Sequence, residues 1–282
     1  MNNMSFKIVV DSCCDLTPQM LKDPCFVKAP LTIQSNGSTF VDDENFDQAD
    51  LLWSMKQSEQ APSTACPSPQ VSLDAYCAGD PDEVYVVTLS ALLSGSHNSA
   101  EQARLMLEED RPNVNVHVFN SCSASSGEVL VALKVRELAG SGMPFKHVVR
   151  EVEQFIYQMQ TMFVLESLEN LRKNGRLTKL QAVVTGALRI KLMMSATPEG
   201  EICKLGQALS MKQALTKLVD RMAEDPNHEG RTLAICHCNC LERAFLVKTM
   251  AEQKCKFAHI LLLEAGGITT VYANDGGVVL TY

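Results

Sequence analysis

Hydroxyl side chains lie between a predicted strand and a predicted helix near the middle of the chain. The run at 84–87, Val-Tyr-Val-Val, has the β-branched and aromatic composition of a buried strand. Ser94 and Ser96 flank a glycine after this run, and a helix-forming segment occupies 98–107. Such a turn directs hydroxyls and backbone N–H groups at one spot, which suits a phosphate or a carboxylate. The alternative is that these serines only cap the helix.

Two other predicted strands also end in polar residues before a helix. Residues 7–10 lead into Asp11 and Ser12, and residues 114–119 lead into Asn120. Three strands of this kind indicate a parallel α/β sheet whose polar strand ends share one edge. Open α/β sheets bind ligands at that edge. Taken alone, Asp11 is better explained as a turn or cap residue.

A proline-rich segment at 61–70 interrupts the periodic pattern. Its sequence, APSTACPSPQ, contains three prolines together with Ser63 and Thr64. Composition of this kind is usual in a linker. It also suits a binding loop, because rigid prolines lower the entropy cost of holding hydroxyls in place. Both interpretations stay open on these residues alone.

The second half of the chain continues to alternate strands and helices. Helices are predicted at 145–160, 168–174, 180–188, 209–223 and 241–252. Strands are predicted at 162–165, 192–196, 202–205, 232–236 and 259–263, and the end of the chain, 271–282, is predicted as a strand split by a glycine pair. In the first half, a strand is predicted at 29–33, with a hairpin turn at Asn36-Gly37. From about Met162 onward the pattern indicates a second α/β unit.

Composition and charge limit the class of protein. The chain has 282 residues, 46% apolar and 21% charged, which is enough for one large or two ordinary globular domains. Its formal net charge of −8 argues against a sequence-independent nucleic-acid binder. The same charge disfavours stable docking on an anionic membrane, while transient contact through a small basic patch stays open.

The cysteines and the start of the chain bear on its location. The eleven cysteines are odd in number and scattered, which fits reduced thiols in a cytoplasm better than a disulfide framework. The first residues lack a signal-peptide pattern, and no run reaches the ~18 apolar residues that a membrane helix needs. We therefore expect a cytoplasmic protein.

Three other kinds of site are weaker interpretations of this sequence. Cys236, Cys238 and Cys240 alternate, but zinc sites favour more widely spaced pairs with a second pair elsewhere, so we predict no metal. The G-x-S-x-G turn of hydrolases is missing. Neither G-x-G-x-x-G nor the P-loop motif occurs, so we predict no bound cofactor. Any phosphoryl chemistry would then require a partner protein.

Five short segments, taken together and in order, resemble the DegV family of bacterial proteins. No single segment is specific, whereas the ordered set is, and the likeness spans almost the whole chain. The segments are Val9-Val10-Asp11-Ser12; Pro62-Ser63-Thr64; Leu89 with Leu93-Ser94-Gly95-Ser96 and Ala100; Asn120-Ser121 with Ser125 and Gly127; and Leu168-Glu169-Asn170-Leu171 with Asn174-Gly175-Arg176-Leu177.

The resemblance implies a fold and a function. It implies two α/β domains, at 1–160 and 161–282, with a long-chain fatty acid in a tunnel between them. The first would carry the head-group loops and the second would cover the acyl chain. The family includes the fatty-acid-binding subunit of bacterial fatty acid kinase. That subunit has no catalytic residues of its own and presents the carboxylate to a separate ATP-using kinase subunit, which makes an acyl phosphate.

The resemblance also implies site residues. By motif, Thr64 and Ser94 are expected to hydrogen-bond the carboxylate, with Ser63, Ser96 and Arg176 near it. Apolar side chains of the second domain would line the tunnel, and the candidates are Phe163, Leu188, Ile190 and Met194.

Three positions depart from the family's usual pattern. Ala65 stands where a further Ser usually follows Pro-Ser-Thr, and Ser96 stands where Thr is usual. Asn274 stands where a His usually precedes a glycine-rich turn. Asparagine can donate a hydrogen bond but never carries the charge of a protonated histidine. Asn274 is therefore a further candidate for contact with the carboxylate. The resemblance implies that asparagine in place of histidine affects either the hydrogen bonds to the carboxylate or phosphoryl transfer.

A second function class stays open at this point. The polar strand ends would equally suit a stand-alone enzyme that acts on a small carboxylate or phosphate. The two hypotheses differ in what they require of the interior, because a fatty-acid carrier needs a long apolar cavity next to an anion site.

Overall fold

The computed structural model describes residues 5–180 and 190–282, and the elements named below lie in those ranges. Its strands are β1 (Phe6–Asp11), β2 (Phe26–Ala29), β3 (Thr32–Ser35), β4 (Ser38–Val41), β5 (Ser63–Ala65), β6 (Glu83–Thr88), β7 (Asn115–Asn120), β8 (Thr161–Val164), β9 (Lys191–Ala196), β10 (Ile202–Ala208), β11 (Thr232–His237), β12 (His259–Glu264) and β13 (Val278–Thr281). Its α-helices are α1 (Gln48–Gln57), α2 (Pro69–Tyr76), α3 (Ser96–Asp110), α4 (Ser126–Gly140), α5 (Phe145–Gln158), α6 (Glu169–Lys173), α7 (Met211–Glu224), α8 (Leu241–Lys254) and α9 (Gly267–Ala273). Most of the helix predicted at 180–188 lies outside the described residues.

The first sheet is parallel, in the order β2-β1-β6-β7. All six residues of β6 are buried, as expected for a strand covered on both faces. Val84 and Val86 pack with α3 on one face, while Tyr85 and Val87 pack with α4 on the other. The α/β class and the parallel sheet predicted from the strand ends are confirmed.

The second sheet is mixed, in the order β10-β9-β8-β13-β11-β12. Its pairs are antiparallel except for β11 with β12, which is parallel. Helix α4 contacts strands of both sheets. Its buried residues, which include Val129, Leu130 and Val131 on successive positions, surround the helix, as expected for a helix enclosed on all sides. One hydrophobic core therefore runs from the first sheet through α4 to the second.

A small third sheet, in the order β4-β3-β5, contains Ser63 and Thr64 of the Pro-Ser-Thr segment in β5. Strand β3 pairs antiparallel with both β4 and β5, and Ile33 lies opposite Thr64. The hairpin at Asn36-Gly37 is confirmed, since both residues have positive φ angles of 49° and 76°. The prediction of one strand at 29–33 was wrong: β2 ends at Ala29 and β3 begins at Thr32. Pro30 lies between them and cannot donate to a sheet ladder.

The end of the chain contains a helix that the sequence pattern did not predict. Residues 271–273 belong to helix α9, and only 278–281 form a strand. The Asp42 carboxylate accepts hydrogen bonds from the backbone N–H groups of Gly267 at 2.8 Å and Ile268 at 3.0 Å. This long-range cap satisfies two of the free N–H groups at the start of α9, and the β-branched residues then pack into the core. The division into domains at residue 160 stays a prediction.

Candidate functional site

An apolar cavity lies between the two larger sheets. Its volume is about 100 Å³. It is lined by Cys13, Leu89, Leu93, Cys122, Ser123, Ala124, Ser125, Thr161, Phe163, Leu165, Leu171, Arg176, Ala196, Gly200, Ile202, Ile268, Thr269, Tyr272, Ala273 and Val279. These residues come from loops of the first sheet, from strands of the second sheet and its β9–β10 turn, from α6 and the segment after it, and from α9.

The hydroxyls in this lining are engaged with other protein groups. Ser123 Oγ and Thr161 Oγ1 hydrogen-bond each other at 2.7 Å. Ser125 Oγ and Thr269 Oγ1 donate to the Asp15 carboxylate at 2.6 Å and 2.7 Å. Because these polar groups are satisfied within the protein, the surface that faces the cavity is that of an apolar ligand site.

Among the described residues that line the cavity, Arg176 is the one that carries a charge, and a helix C-cap positions it. Gly175 follows α6 with a φ of 78°, a conformation that favours glycine. Its N–H donates to Arg172 O at 3.1 Å, and the Arg176 N–H donates to Leu171 O at 2.8 Å. These two bonds form a Schellman motif, which ends the helix and turns the next residue inward. The helix-ending role predicted for Gly175 is confirmed.

The Arg176 guanidinium contacts the Leu93 loop and α9. Its Nε donates to Leu93 O at 3.1 Å, and its Nη1 donates to Asn174 O. Its Cζ lies 5.5 Å from the centre of the Tyr272 ring, within the range of a cation–π contact. A guanidinium has five N–H donors. Three of them have no hydrogen-bond partner among the described residues, so they are available to an anion.

Thr64 is joined to this group through Tyr272. The Thr64 and Tyr272 hydroxyls hydrogen-bond each other at 2.8 Å. Nearby, the Asn174 side chain donates to Pro62 O at 2.9 Å, which holds the Pro-Ser-Thr strand against the end of α6. Thr64 therefore contacts the hydroxyl of Tyr272, and Arg176 lies over the ring of the same residue. The neighbouring Ser63 side chain is exposed.

Ser94 and Ser96 lie at the start of α3, directly after Leu93. Their hydroxyls are 3.1 Å apart, and Ser94 Oγ accepts the Ser96 N–H at 3.2 Å. Ser96 is buried and Ser94 is half-buried. The N-cap of α3 is Gly95, without a side-chain cap hydrogen bond, so these serines bond locally to each other rather than in the capping role raised as the alternative from the sequence. Ser94 still adjoins the residue whose carbonyl holds Arg176.

Asn274 ends α9, two residues after Tyr272, but it does not line the apolar cavity. It lines a separate surface cavity of about 460 Å³, together with Pro62, Asn170, Lys173 and other residues. Its backbone φ is 59°, and its N–H donates to Thr270 O at 3.0 Å. Asn274 therefore lies on the solvent side of the region around Thr64 and Arg176.

Three buried carboxyl groups lie behind the cavity. Asp15 Oδ1 accepts the Gly266 N–H at 2.7 Å, so Asp15 links the first sheet to the α9 region. Burial raises the pKa of Asp15 to about 6, and that of Asp11 likewise to about 6. Burial also raises the pKa of Glu128 well above its ordinary value, and the neighbouring Asp11 charge adds to the effect.

Of the four residues predicted to line the tunnel, one lines the cavity, two do not, and one lies outside the described residues. Phe163 lines the cavity. Met194, which pairs with Phe163 across strands β8 and β9, is fully buried in the core and does not line it. Ile190 packs against the core without reaching the cavity. Leu188 lies outside the described residues. Strand alternation identifies an inward face, but it does not separate core from cavity wall.

The cysteines near 238 take part in separate hydrogen bonds. Cys236 Sγ donates to Asp15 Oδ2 at 3.2 Å, and Cys238 Sγ lies 3.7 Å from Thr270 Oγ1. Within 5–180 and 190–282, no group of three or more His, Cys, Asp or Glu residues could hold a metal ion.

The sequence interpretation missed Tyr272, Thr269 and Asp15. Tyr272 and Thr269 lie in α9, which was not predicted as a helix. Asp15 follows β1 and was passed over in favour of Asp11, although both belong to the same polar strand end. A helical assignment of 267–273 would have placed both α9 residues on the cavity side.

Comparisons with known proteins show which family the chain resembles. A family model described as "Uncharacterised protein, DegV family" matches residues 5–282. A DegV domain-containing protein of Streptococcus pyogenes serotype M3 is 34% identical over 285 residues, which cover 99% of each chain. None of the described helices is long and apolar enough to cross a membrane.

Two solved structures are similar over nearly their whole length. A DegV family protein from Ruminococcus gnavus, refined with vaccenic acid, superposes with a TM-score of 0.95 at 44% identity, covering 99% of this chain and 100% of its own. The Streptococcus pneumoniae Fatty Acid Kinase (Fak) B3 protein, loaded with linoleic acid, superposes with a TM-score of 0.90 at 30% identity, covering 99% of each chain.

Proposed function

The chain belongs to the DegV family, and we propose that it binds a long-chain fatty acid, with the acyl chain in the apolar cavity and the carboxylate at Arg176. The observation that carries this proposal is an apolar cavity whose one charged lining residue, among those described, is an arginine. The similar proteins with vaccenic and linoleic acid support the same ligand class.

The acyl chain would supply most of the driving force. Burial of each CH₂ contributes ~0.8 kcal/mol, so a long chain gains on the order of 10 kcal/mol before other terms. Association and ordering costs offset a large part of this gain. A cavity whose hydroxyls are already paired loses no hydrogen bonds when it accepts such a chain.

The carboxylate needs partners because a buried charge without them is costly. The N–H groups of Arg176 that have no partner among the described residues can donate to it in a two-pronged arrangement, which matches the shape of a carboxylate. Thr64, held by Tyr272, and Ser94, next to Leu93, can add hydroxyl donors from two further segments. Ser63, Ser96 and Asn274 lie around these residues, and we include them as weaker candidates.

We further propose that the protein presents the carboxylate to a separate ATP-dependent kinase subunit for acyl-phosphate formation. The chain lacks the nucleotide-binding motifs sought above, and the Fak B3 protein is a similar chain whose name ties it to a fatty acid kinase. Arg176, Ser94 and Thr64 are each half-buried, so the head-group region lies near the surface. A stand-alone enzyme acting on a small carboxylate or phosphate gains no support from an apolar cavity.

Native mass spectrometry of the purified protein tests the binding proposal. We expect a bound long-chain fatty acid, identified after extraction, that exchanges for an added isotope-labelled acid. The kinase proposal is tested by adding a fatty acid kinase catalytic subunit and ATP and measuring acyl phosphate. An empty protein that cannot be loaded would refute the first proposal, and a loaded protein that yields no acyl phosphate would refute only the second.

A further inference from the structure

Helix α9, which carries Tyr272, is tied to the helix that places Arg176. Asp42 caps the first N–H groups of α9. Near the other end of α9, the Val271 carbonyl accepts a hydrogen bond from the Asn170 side chain of α6 at 2.7 Å. Asn170 is buried, so solvent does not compete for this bond. The backbone of Tyr272 is therefore held in place relative to the C-cap that precedes Arg176.

Tyr272 contacts two of the proposed head-group residues with two different parts of its side chain. Its hydroxyl lies 2.8 Å from Thr64 Oγ1, and the centre of its ring lies 5.5 Å from Arg176 Cζ. Thr64 belongs to β5 and Arg176 follows α6, so two segments far apart in the chain meet at this one side chain. Tyr272 is half-buried and lines the apolar cavity.

The donor and acceptor capacities of the two hydroxyls determine the direction of the bond between Thr64 and Tyr272 when a carboxylate is bound. A threonine hydroxyl has one proton and two lone pairs, and an ionised carboxylate only accepts hydrogen bonds. Thr64 can therefore donate to the carboxylate only if it accepts the proton of Tyr272. In that arrangement the tyrosine keeps the threonine proton directed at the ligand, and each hydrogen bond polarises the next.

The aromatic ring of Tyr272 limits the movement of the Arg176 guanidinium. Carbonyl groups already accept hydrogen bonds from its Nε and Nη1. The tyrosine ring adds a face that attracts the positive charge and matches the planar shape of the guanidinium. A guanidinium that is oriented before the ligand arrives loses less freedom on binding, so the affinity for the ligand is higher.

We propose that Tyr272 is a positioning residue for the carboxylate: its hydroxyl directs the Thr64 proton to the ligand, and its ring orients the Arg176 guanidinium. The role rests on the proposed fatty-acid binding and adds to that site a residue outside the five sequence segments that indicated the family. Loss of Tyr272 should weaken binding of an acid more than binding of an alcohol, because hydrogen bonds to charged groups are the stronger ones.

The hydroxyl is tested with Tyr272→Phe, which keeps the ring. Dissociation constants are measured by calorimetry for palmitic acid and for the alcohol of equal chain length. Tyr272→Phe should bind the acid roughly 2- to 12-fold more weakly than the wild type, the range for one net hydrogen bond. The hydroxyl acts through Thr64, so Tyr272→Phe combined with Thr64→Ala should bind no more weakly than Thr64→Ala alone. Thr64→Ser keeps a hydroxyl, and in that background the loss from Tyr272→Phe should persist.

The ring is tested with Tyr272→Leu, which removes both the hydroxyl and the aromatic face. This variant should bind the acid roughly 2- to 5-fold more weakly than Tyr272→Phe, the range for an exposed cation–π contact. The additional loss should be absent in the Arg176→Gln background, because glutamine carries no charge to hold. The affinity of each variant for the alcohol corrects for any change in packing against the acyl chain.

Tyr157→Phe is the matched control, because Tyr157 is 77% exposed on α5, and its affinities should equal those of the wild type. Wild-type affinity in Tyr272→Phe would overturn the inference while fatty-acid binding stands. Losses that add when Tyr272→Phe and Thr64→Ala are combined would also overturn it, since Tyr272 would then act independently of Thr64. Equal losses for acid and alcohol would do the same, because Tyr272 would then support only the fold or the acyl chain. A wild-type protein that binds no fatty acid would overturn the proposed function as well.

Discussion

Replacement of Arg176 by glutamine tests the carboxylate assignment most directly. Glutamine is polar and can still donate to the Leu93 carbonyl, but it removes the positive charge from the cavity lining. The backbone C-cap at Gly175 does not depend on the side chain, so the variant should keep α6 intact. We expect Arg176→Gln to fold with little loss of melting temperature and to bind fatty acids more weakly.

The size of the effect follows from the contacts of the guanidinium. Three of its N–H donors have no partner among the described residues, so the carboxylate can take two of them. Hydrogen bonds to charged groups contribute about 1.5–3 kcal/mol, and Arg176 is half-buried, so solvent screening keeps the figure in this range. The dissociation constant should therefore rise by roughly 10- to 150-fold.

The affinity is measured by isothermal titration calorimetry, with a fatty acid and with the fatty alcohol of equal chain length. The comparison separates the contribution of the head group from that of the tail. The loss should appear for the acid and be small for the alcohol, which carries no charge. Arg150→Gln is the matched control, because Arg150 is an exposed arginine on α5 paired with Glu151. Equal affinity of wild type and Arg176→Gln for the acid, or an equal loss for the alcohol, would refute the reasoning.

Three further predictions concern the head group, phosphoryl transfer and pH. Thr64→Ala and Ser94→Ala should each weaken fatty-acid binding by about 1–3 kcal/mol without unfolding the protein, and calorimetry showing unchanged affinity in both would remove them from the site. Asn274→His should leave binding intact and increase acyl-phosphate output with a kinase subunit, because a protonated histidine offsets anionic charge; unchanged or lower output would make Asn274 a turn residue. Burial raises the pKa of Asp15 to about 6, so the folded state holds this proton more tightly than the unfolded chain does. The stability that this proton contributes is fully present below about pH 4 and is lost as the pH rises through about 6. The free energy of unfolding should change by about 3 kcal/mol over this range. The free energy of unfolding, measured with urea across this pH window, should decline less in Asp15→Asn than in the wild type. Equal declines would count against a raised pKa for Asp15.

Much of the region around Arg176 could be predicted from local sequence because local chemistry determines it. Gly175 is required by a left-handed C-cap, and this cap places Arg176 whatever surrounds it. The polar ends of β1, β6 and β7 share an edge because parallel strands run in the same direction. Asn36-Gly37 forms its hairpin for the same local reason. These features depend on residues that are close in sequence.

The position and lining of the cavity depend on contacts between residues far apart in the chain, so they could not be predicted from local sequence. Helix α9 is capped by Asp42, more than two hundred residues earlier, and its β-branched sequence alone indicated a strand. Tyr272 reaches Thr64 and Arg176 only because α9 packs between the third sheet and α6. Side-chain alternation shows which residues of a strand face inward, but the gap between two packed sheets depends on how all their side chains fill it. That is why Phe163 lines the cavity while its cross-strand partner Met194 is core.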